Sequence, residues 1–404
     1  MCNQKGLSRR SVLKKFGVAS VAAVGLGLTG IPKQGMAETD EGSRSAYKVY
    51  SPGKIGGLTL KNRFIKAATA TESTNAEGRF MPEGLAIYRN WSKGGVRLIE
   101  TGHMTVVPVD YHTMKHHLYQ IWDDRQIPYL KELTNTVHKA DQECKIVAFL
   151  NHLGNHPVLA HGQGIAAAAQ PWPGQKKAPK ALSHSEIQDV KSAFVNAAVR
   201  AKKAGFDGVT LQGGHKFLLH TFLSPQTNKR RDEYGGSLEN RVRIIKEIVD
   251  GIKTVGGKNF SVLIKVNSYD SGPGGINMDS FPQLAAAIAK TGVDAIELSG
   301  GVPSVPDVDD PTEQSYHAAY AKKLDVDIPV ILTGGNKDIN IMERLFKPGK
   351  IDFLAMARPL IRQADLPNLW LDKASDAECT CVSCNECLRY HVFEGNPFLT
   401  CQLD

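Results

Sequence analysis

From residue 47 onward the chain repeats one alternation. A short run of β-branched and other apolar residues ends in small or polar ones. A segment with apolar positions every three or four residues then follows. Eight such runs can be counted: "NRFIKAATA" (62–70), "GVRLIETG" (95–102), "KIVAFLNH" (145–152), "GFDGVTLQGG" (205–214), "FSVLIKVNS" (260–268), "GVDAIELSGG" (292–301), "IPVILTGG" (328–335) and "IDFLAMARPL" (351–360). Continuous apolar runs are those of strands covered on both faces, which a parallel sheet requires. Between the third and fourth runs, Ile187, Val190, Phe194, Ala197 and Ala201 share one face of a helix that "KKAG" (202–205) closes. Eight strand–helix units predict class α/β and a single (β/α)8 TIM barrel over residues 47–370, the alternative being a doubly wound open sheet. A cysteine-rich extension (371–404) follows.

In such a barrel the residues just past each strand carry the chemistry. Here these are 67–70, 102–103, 151–152, 212–215, 265–267, 299–301, 334–335 and 357–358. "LTGG" after the seventh run and "ARPL" after the eighth suit an anion. Gly334 and Gly335 let backbone N–H groups approach a phosphate, and Arg358 adds a fixed charge.

Length and charge alter this picture at one end only. The chain has 404 residues and 42% hydrophobic content, as expected of a globular protein with a large core. The segment "SRRSVLKKFGVASVAAVGLGLTG" (8–30) pairs Arg9–Arg10 with a mild apolar run, and "GMA" (35–37) offers a cleavage site. It resembles a twin-arginine export signal, so residues 1–37 are expected to be removed and the mature protein to be periplasmic, with no stable membrane span. The signal carries six basic residues and no acid, so its loss leaves 43 basic against 41 acidic residues, a net charge of +2 instead of +8. A nucleic-acid partner is therefore not implied.

The stretch "ECTCVSCNECLRY" (378–390) holds four of the seven cysteines. Zinc favours tetrahedral thiolates in paired knuckles, and disulfides suit an exported chain. An iron–sulfur cluster takes three closely spaced thiolates and one remote. Cys381, Cys384 and Cys387, followed by Cys401, fit the third pattern best.

The stretch "GFDGVTLQGGHKFLLHTFLSPQTNKRRDEYGGSLENRVR" (205–243) resembles the signature of the old yellow enzyme family, the FMN-containing NADH:flavin oxidoreductases. "NHLGNHP", "KVNS" and "TGGN…ARPLI" fall where that family has counterparts. The resemblance implies an FMN phosphate on Gly334, Gly335, Ala357 and Arg358. It places Arg241 at the flavin N1/O2 edge, Lys265 as a second cation, and Ala67, Ala68, Ala70 and Gly102 along the flavin. The cysteines resemble those of the branch containing trimethylamine dehydrogenase, 2,4-dienoyl-CoA reductase and 2-enoate reductase. That likeness implies a [4Fe–4S] cluster on Cys381, Cys384, Cys387 and Cys401, with Cys379 a bystander.

The chain departs from the family at the fourth run. The usual His-x-x-His/Asn–Gly–Tyr is here Gln212, His215, Lys216 and Phe217. Gln212 and His215 can still bind a carbonyl oxygen, but Phe217 has no proton to give. Lys216, His220, His103 and Tyr269 are then the candidate acids. Phe149 stands where the family commonly has Gln. The expected activity is reduction of an activated C=C bond in a small molecule, enoate or enone. The alternatives are an amine dehydrogenase or demethylase, or an electron-transfer module without turnover. A periplasmic electron carrier is expected as donor instead of NAD(P)H, given the export signal, the altered pocket and the end of the chain at Asp404.

Overall fold

The computed structural model describes residues 44–403, apart from 72, 110–117, 158, 160–162, 301–313, 373–376 and 391–397. The expected export signal lies outside the described residues. Each of the eight apolar runs supplies one strand: β1 Phe64–Lys66, β2 Leu98–Thr105, β3 Lys145–Asn151, β4 Gly208–Gly213, β5 Ser261–Asn267, β6 Ala295–Ser299, β7 Val330–Thr333 and β8 Phe353–Met356. Neighbours pair in parallel around the ring, and Ile65 lies opposite both Ala355 of β8 and Leu98 of β2. The sheet is thus a closed (β/α)8 barrel. The helix His184–Lys203 begins at a reciprocal cap between Ser183 and Glu186 and buries Ile187, Val190, Phe194, Ala197 and Ala201, the face expected from their spacing. Among the described residues, no helix is long and apolar enough to cross a membrane.

Side chains of a strand alternate between its two faces, so inward residues recur every second position. This places three layers inside the barrel. The lowest is apolar: Leu98, Val147, Leu263, Ala295, Ile331 and Phe353 pack together with Ile55, Leu58 and Leu60 of the hairpin that precedes β1. Two residues further along each strand come Glu100, Phe149, Lys265, Glu297 and Thr333. Two further still come Asn151, Asn267, Ser299 and Gly335 at the strands' C-terminal ends, while a bulge in β2 after Glu100 sets His103 opposite Phe149.

The middle layer is ionic. Lys265 Nζ lies 3.2 Å from Glu100 Oε2 and 2.9 Å from Glu297 Oε1, and all three side chains are buried. Thr210 Oγ1 donates to Glu100 Oε1 at 2.8 Å, the Ala68 amide donates to Glu100 Oε2 at 3.1 Å, and the Thr333 hydroxyl donates to Glu297. Lys265 Nζ also sits 4.9 Å from the centre of the Phe149 ring, whose negative face favours a cation. Lys66 of β1, on the helix side of the barrel wall, donates to the Ala67 carbonyl at 2.7 Å and lies 4.1 Å over Trp91. Burying charges is costly unless they are paired and hydrogen-bonded, and removing one member of such a set typically costs about 3–5 kcal/mol.

The layer divides its protons unequally. Burial lowers Lys265, but Glu100 and Glu297 outweigh that, and it ends above the ordinary lysine value. Burial raises Glu100, but Lys265 and the donors around it outweigh that and leave it below the usual carboxylate value. Burial and the Glu100 charge push Glu297 up to about 8, while burial and the Lys265 charge bring Lys66 down to about 7. An acid raised in the folded state contributes most below its unfolded value, near 4.5 here, and that contribution fades as pH rises through about 8. Glu297→Gln copies the protonated form. The variant is expected to melt with the wild type at pH 5 and above it at pH 9; a melting temperature equally depressed at both pH values would contradict this assignment.

Candidate active site

The upper layer opens at the C-terminal mouth, and its polar groups are incompletely used. Neither side-chain atom of Asn151 has a partner, nor has Gln212 Nε2 or His103 Nδ1, although all are buried. Buried polar atoms are nearly always paired, so orphans gathered at three adjacent strand ends mark a place for a polar ligand. Around them the backbone makes room. The segment after β1 crosses Gly102 so closely that an added Cβ would meet the Thr69 carbonyl at 2.9 Å and the Ala70 Cα at 3.3 Å.

His215 is held firmly. Its amide donates to Asn267 Oδ1 at 3.0 Å, and its Nε2 lies 2.9 Å from Ser299 Oγ. Burial, then the Lys265 charge, keep it well below the ordinary histidine value, so it is a neutral hydrogen-bonding group. Phe217 is pinned between two imidazoles, stacked on His156 at 4.5 Å and tilted against His103 at 4.9 Å. Burial, then the His156 charge, lower His103 to about 3, which leaves it a poor acid at neutral pH. His220 is sealed, 1% exposed and 2.9 Å from Asp270, so it cannot reach the mouth as a proton donor. Tyr269 does line the adjoining cavity.

That cavity, about 400 Å³, extends over the ends of β6, β7 and β8. His215, Ser299, Gly334, Gly335, Ala357 and Arg358 line it. Gly334 (φ 109°) and Gly335 (φ 74°) adopt conformations that only glycine reaches without strain. Asn336 pins the corner by donating to the Leu332 and Ala355 carbonyls at 2.8 and 3.0 Å. The cysteine-rich segment forms part of the same wall. Ser383 lines the cavity, and Arg358 Nη1 donates to the Ser383 carbonyl at 3.1 Å and to Asn385 Oδ1 at 2.8 Å. Arg358 Nη2 reaches Tyr316 Oη at 3.1 Å. Between the cysteines, Ser383 (φ 59°) and Asn385 (φ 63°) are left-handed, which curls the backbone around the thiols. Cys384 is exposed, while burial raises Cys379 and Cys387 to about 11. Cys381 and Cys401 are close enough to Cys387 to act on it, and Arg358 opposes them.

The structure therefore gathers His215, Gly334, Gly335, Ala357 and Arg358 at one cavity, with Gln212 and Gly102 at the neighbouring mouth and Lys265 beneath it. Ala67, Ala68 and Ala70 follow β1 toward that mouth, and Lys216 adjoins His215. Arg241 is not brought there. Its Nη1 donates to the Leu223 carbonyl at 2.6 Å and it faces Asp270, so it braces the helix Leu218–Leu223. The cation at the barrel centre is Lys265. Sequence reasoning missed Glu100, Glu297 and Lys66. The signal was present, since each is a charge inside an otherwise apolar run.

The residues fit an FMN: the orphaned Asn151 amide for a polar ring edge, a cation below the mouth, and a glycine corner with an arginine for the phosphate. The comparisons agree. A model of the NADH:flavin oxidoreductase / NADH oxidase family matches residues 48–373. An NADH oxidase of Thermoanaerobacter brockii is 32% identical over 358 residues, 86% of this chain and 54% of that protein. An NADPH dehydrogenase of Clostridium acetobutylicum is 31% identical over 322 residues, 78% of this chain and 92% of that one. The solved structure of histamine dehydrogenase from Rhizobium sp. 4-9 superposes with a TM-score of 0.68 at 26% identity, covering 80% of this chain and 47% of that one. The chain thus spans about half the length of the Thermoanaerobacter relative.

Because Arg358 is held by the cysteine-rich segment, FMN affinity should depend on that segment. Losing one hydrogen bond to a charged group costs about 1.5 kcal/mol, or roughly tenfold. Fluorescence titration of FMN into apoprotein should show Asn385→Ala binding about tenfold more weakly than wild type, and Arg358→Ala more weakly still. Unchanged affinity in Asn385→Ala would mean that the barrel alone makes the site.

Proposed function

The chain belongs to the NADH:flavin oxidoreductase / NADH oxidase family, and from that premise we propose that it is an exported FMN-dependent oxidoreductase that reduces a C=C bond activated by an adjacent carbonyl. In this proposal electrons arrive singly from an outside carrier, through a [4Fe–4S] cluster on Cys381, Cys384, Cys387 and Cys401. The observation that carries it is the shared wall: Ser383, between two of these cysteines, lines the cavity that holds Gly335 and Arg358. A cluster on that loop would touch the flavin site directly, while the exposed Cys384 marks the loop's outer side.

Bound FMN supplies hydride transfer to the β-carbon. The chain's part is to hold and polarise the substrate. Gln212 Nε2 is a buried donor with no partner, ready for the carbonyl oxygen, and His215 stands beside it with its ring fixed by Ser299. Lys265, below the mouth, would supply positive charge toward bound FMN, and electrostatic stabilisation is most effective where negative charge accumulates. Phe217 excludes water between His103 and His156 but donates no proton. The α-carbon proton is then solvent-derived or comes from Tyr269, the one candidate acid that lines the cavity.

Oxidation of an amine, suggested by the likeness to histamine dehydrogenase, fits the site less well. Lys265 and Lys216 make the mouth repulsive to an ammonium group.

Anaerobically purified protein should contain about four irons per chain. In stopped flow, reduced viologen should bleach the flavin far faster than NADH or NADPH, and Cys384→Ser should slow the viologen reaction. Stoichiometric zinc without iron, or bleaching by NADH on the timescale of turnover, would contradict the proposal.

A further inference from the structure

Lys216 has no task in the mechanism above, yet its position is costly. Its backbone is left-handed (φ 67°), directly after His215 (φ 54°). A non-glycine residue in that region is strained, whereas glycine would make the same turn freely. The turn itself is over-determined. His215 N donates to Asn267 Oδ1 at 3.0 Å, Lys216 N donates to His220 Nδ1 at 2.9 Å, and His220 is backed by Asp270. What lysine adds to this turn is therefore its side chain.

That side chain has no carboxylate within ion-pair distance among the described residues; acids and bases elsewhere in the barrel's upper half are paired with one another. Lys216 Nζ lies 5.9 Å from the centre of the Trp172 ring. Trp172 is 2% exposed, and its indole Nε1 is buried with no acceptor. Burial, helped by the Lys216 charge, lowers His156 to about 4. His156 in turn stacks on Phe217, which forms a small apolar cluster with Leu118 and Leu153. His103 closes the far side of Phe217 with its own unpartnered Nδ1. An apolar surface beside the mouth is thus edged by an ammonium and by unused polar atoms, with no ion-paired acid beside Lys216 among the described residues.

We infer that the site selects an anionic substrate, an α,β-unsaturated carboxylate with an apolar body, for which Lys216 is the countercharge. This rests on the C=C-reductase reading given above. A charge-assisted contact of this kind is worth about tenfold or more in affinity, which exceeds what the strained turn costs. It also accounts for lysine where glycine would be the less strained residue.

The test uses the loaded full-length enzyme with reduced viologen as donor, and compares (E)-cinnamate with its methyl ester. Wild type should prefer the acid in kcat/KM by about tenfold or more. Lys216→Gly should lose that preference through a higher KM for the acid, while its melting temperature is unchanged or higher because the turn is relaxed. Lys216→Arg should keep most of the preference. An ester used as well as the acid by wild type, or an unchanged acid-to-ester ratio in Lys216→Gly, would overturn the inference. If neither compound is reduced, the C=C-reductase reading fails by itself, and binding decides the anion site. Cinnamate should perturb the flavin absorption of wild type but not of Lys216→Gly, and equal behaviour of the two proteins would refute the countercharge.

Discussion

The structure depends on one buried arrangement: a lysine at the centre of the barrel, held between two carboxylates. Lys265 could not remain charged at that depth alone, because desolvation would strip its proton. Glu100 keeps it charged, Thr210 and the Ala68 amide donate to that carboxylate, and Glu297 accepts from Thr333 beside it. The cost of this layer is met by the apolar floor below it, where six strand residues and the N-terminal hairpin pack together. The layer leaves a buried ammonium just below the mouth, where solvent screens it little. Well-packed apolar residues in its place would serve stability as well.

The second constraint ties the barrel to its C-terminal extension. Arg358 projects from the end of β8 and is shared among Tyr316, Ser383 and Asn385. One guanidinium therefore spans the phosphate corner and the cysteine loop. Whatever orders that loop also orders the arginine, and by linkage whatever binds at the corner stabilises the loop. The order of the cysteine loop and the position of the corner arginine are then two consequences of one contact.

Much of this was legible in the chain. Eight apolar runs gave eight strands, and the positions just beyond them gave most of the mouth, because a parallel barrel leaves little choice about where strand ends point. The glycine corner was legible for the same reason. Three things were not. Arg241 lies in the most family-like stretch, yet its role is fixed by a distant carbonyl, that of Leu223, which no spacing reveals. Glu100 and Glu297 stand out as charges in apolar runs, but that both meet Lys265 shows only once the barrel closes. The reach of Ser383 and Asn385 to Arg358 depends on left-handed backbone at two non-glycine positions, which local sequence does not announce.

In the reading proposed above, Lys265 is the cation that would serve bound FMN. The most direct measurement is the midpoint potential of FMN in the wild type and in Lys265→Met, by anaerobic spectroelectrochemistry. Loss of a facing charge disfavours the electron-rich form, so the potential should fall by at least about 30 mV, equivalent to about 1.4 kcal/mol for two electrons. FMN bound to both proteins at the same potential would show that the charge at the barrel's centre belongs to the fold alone.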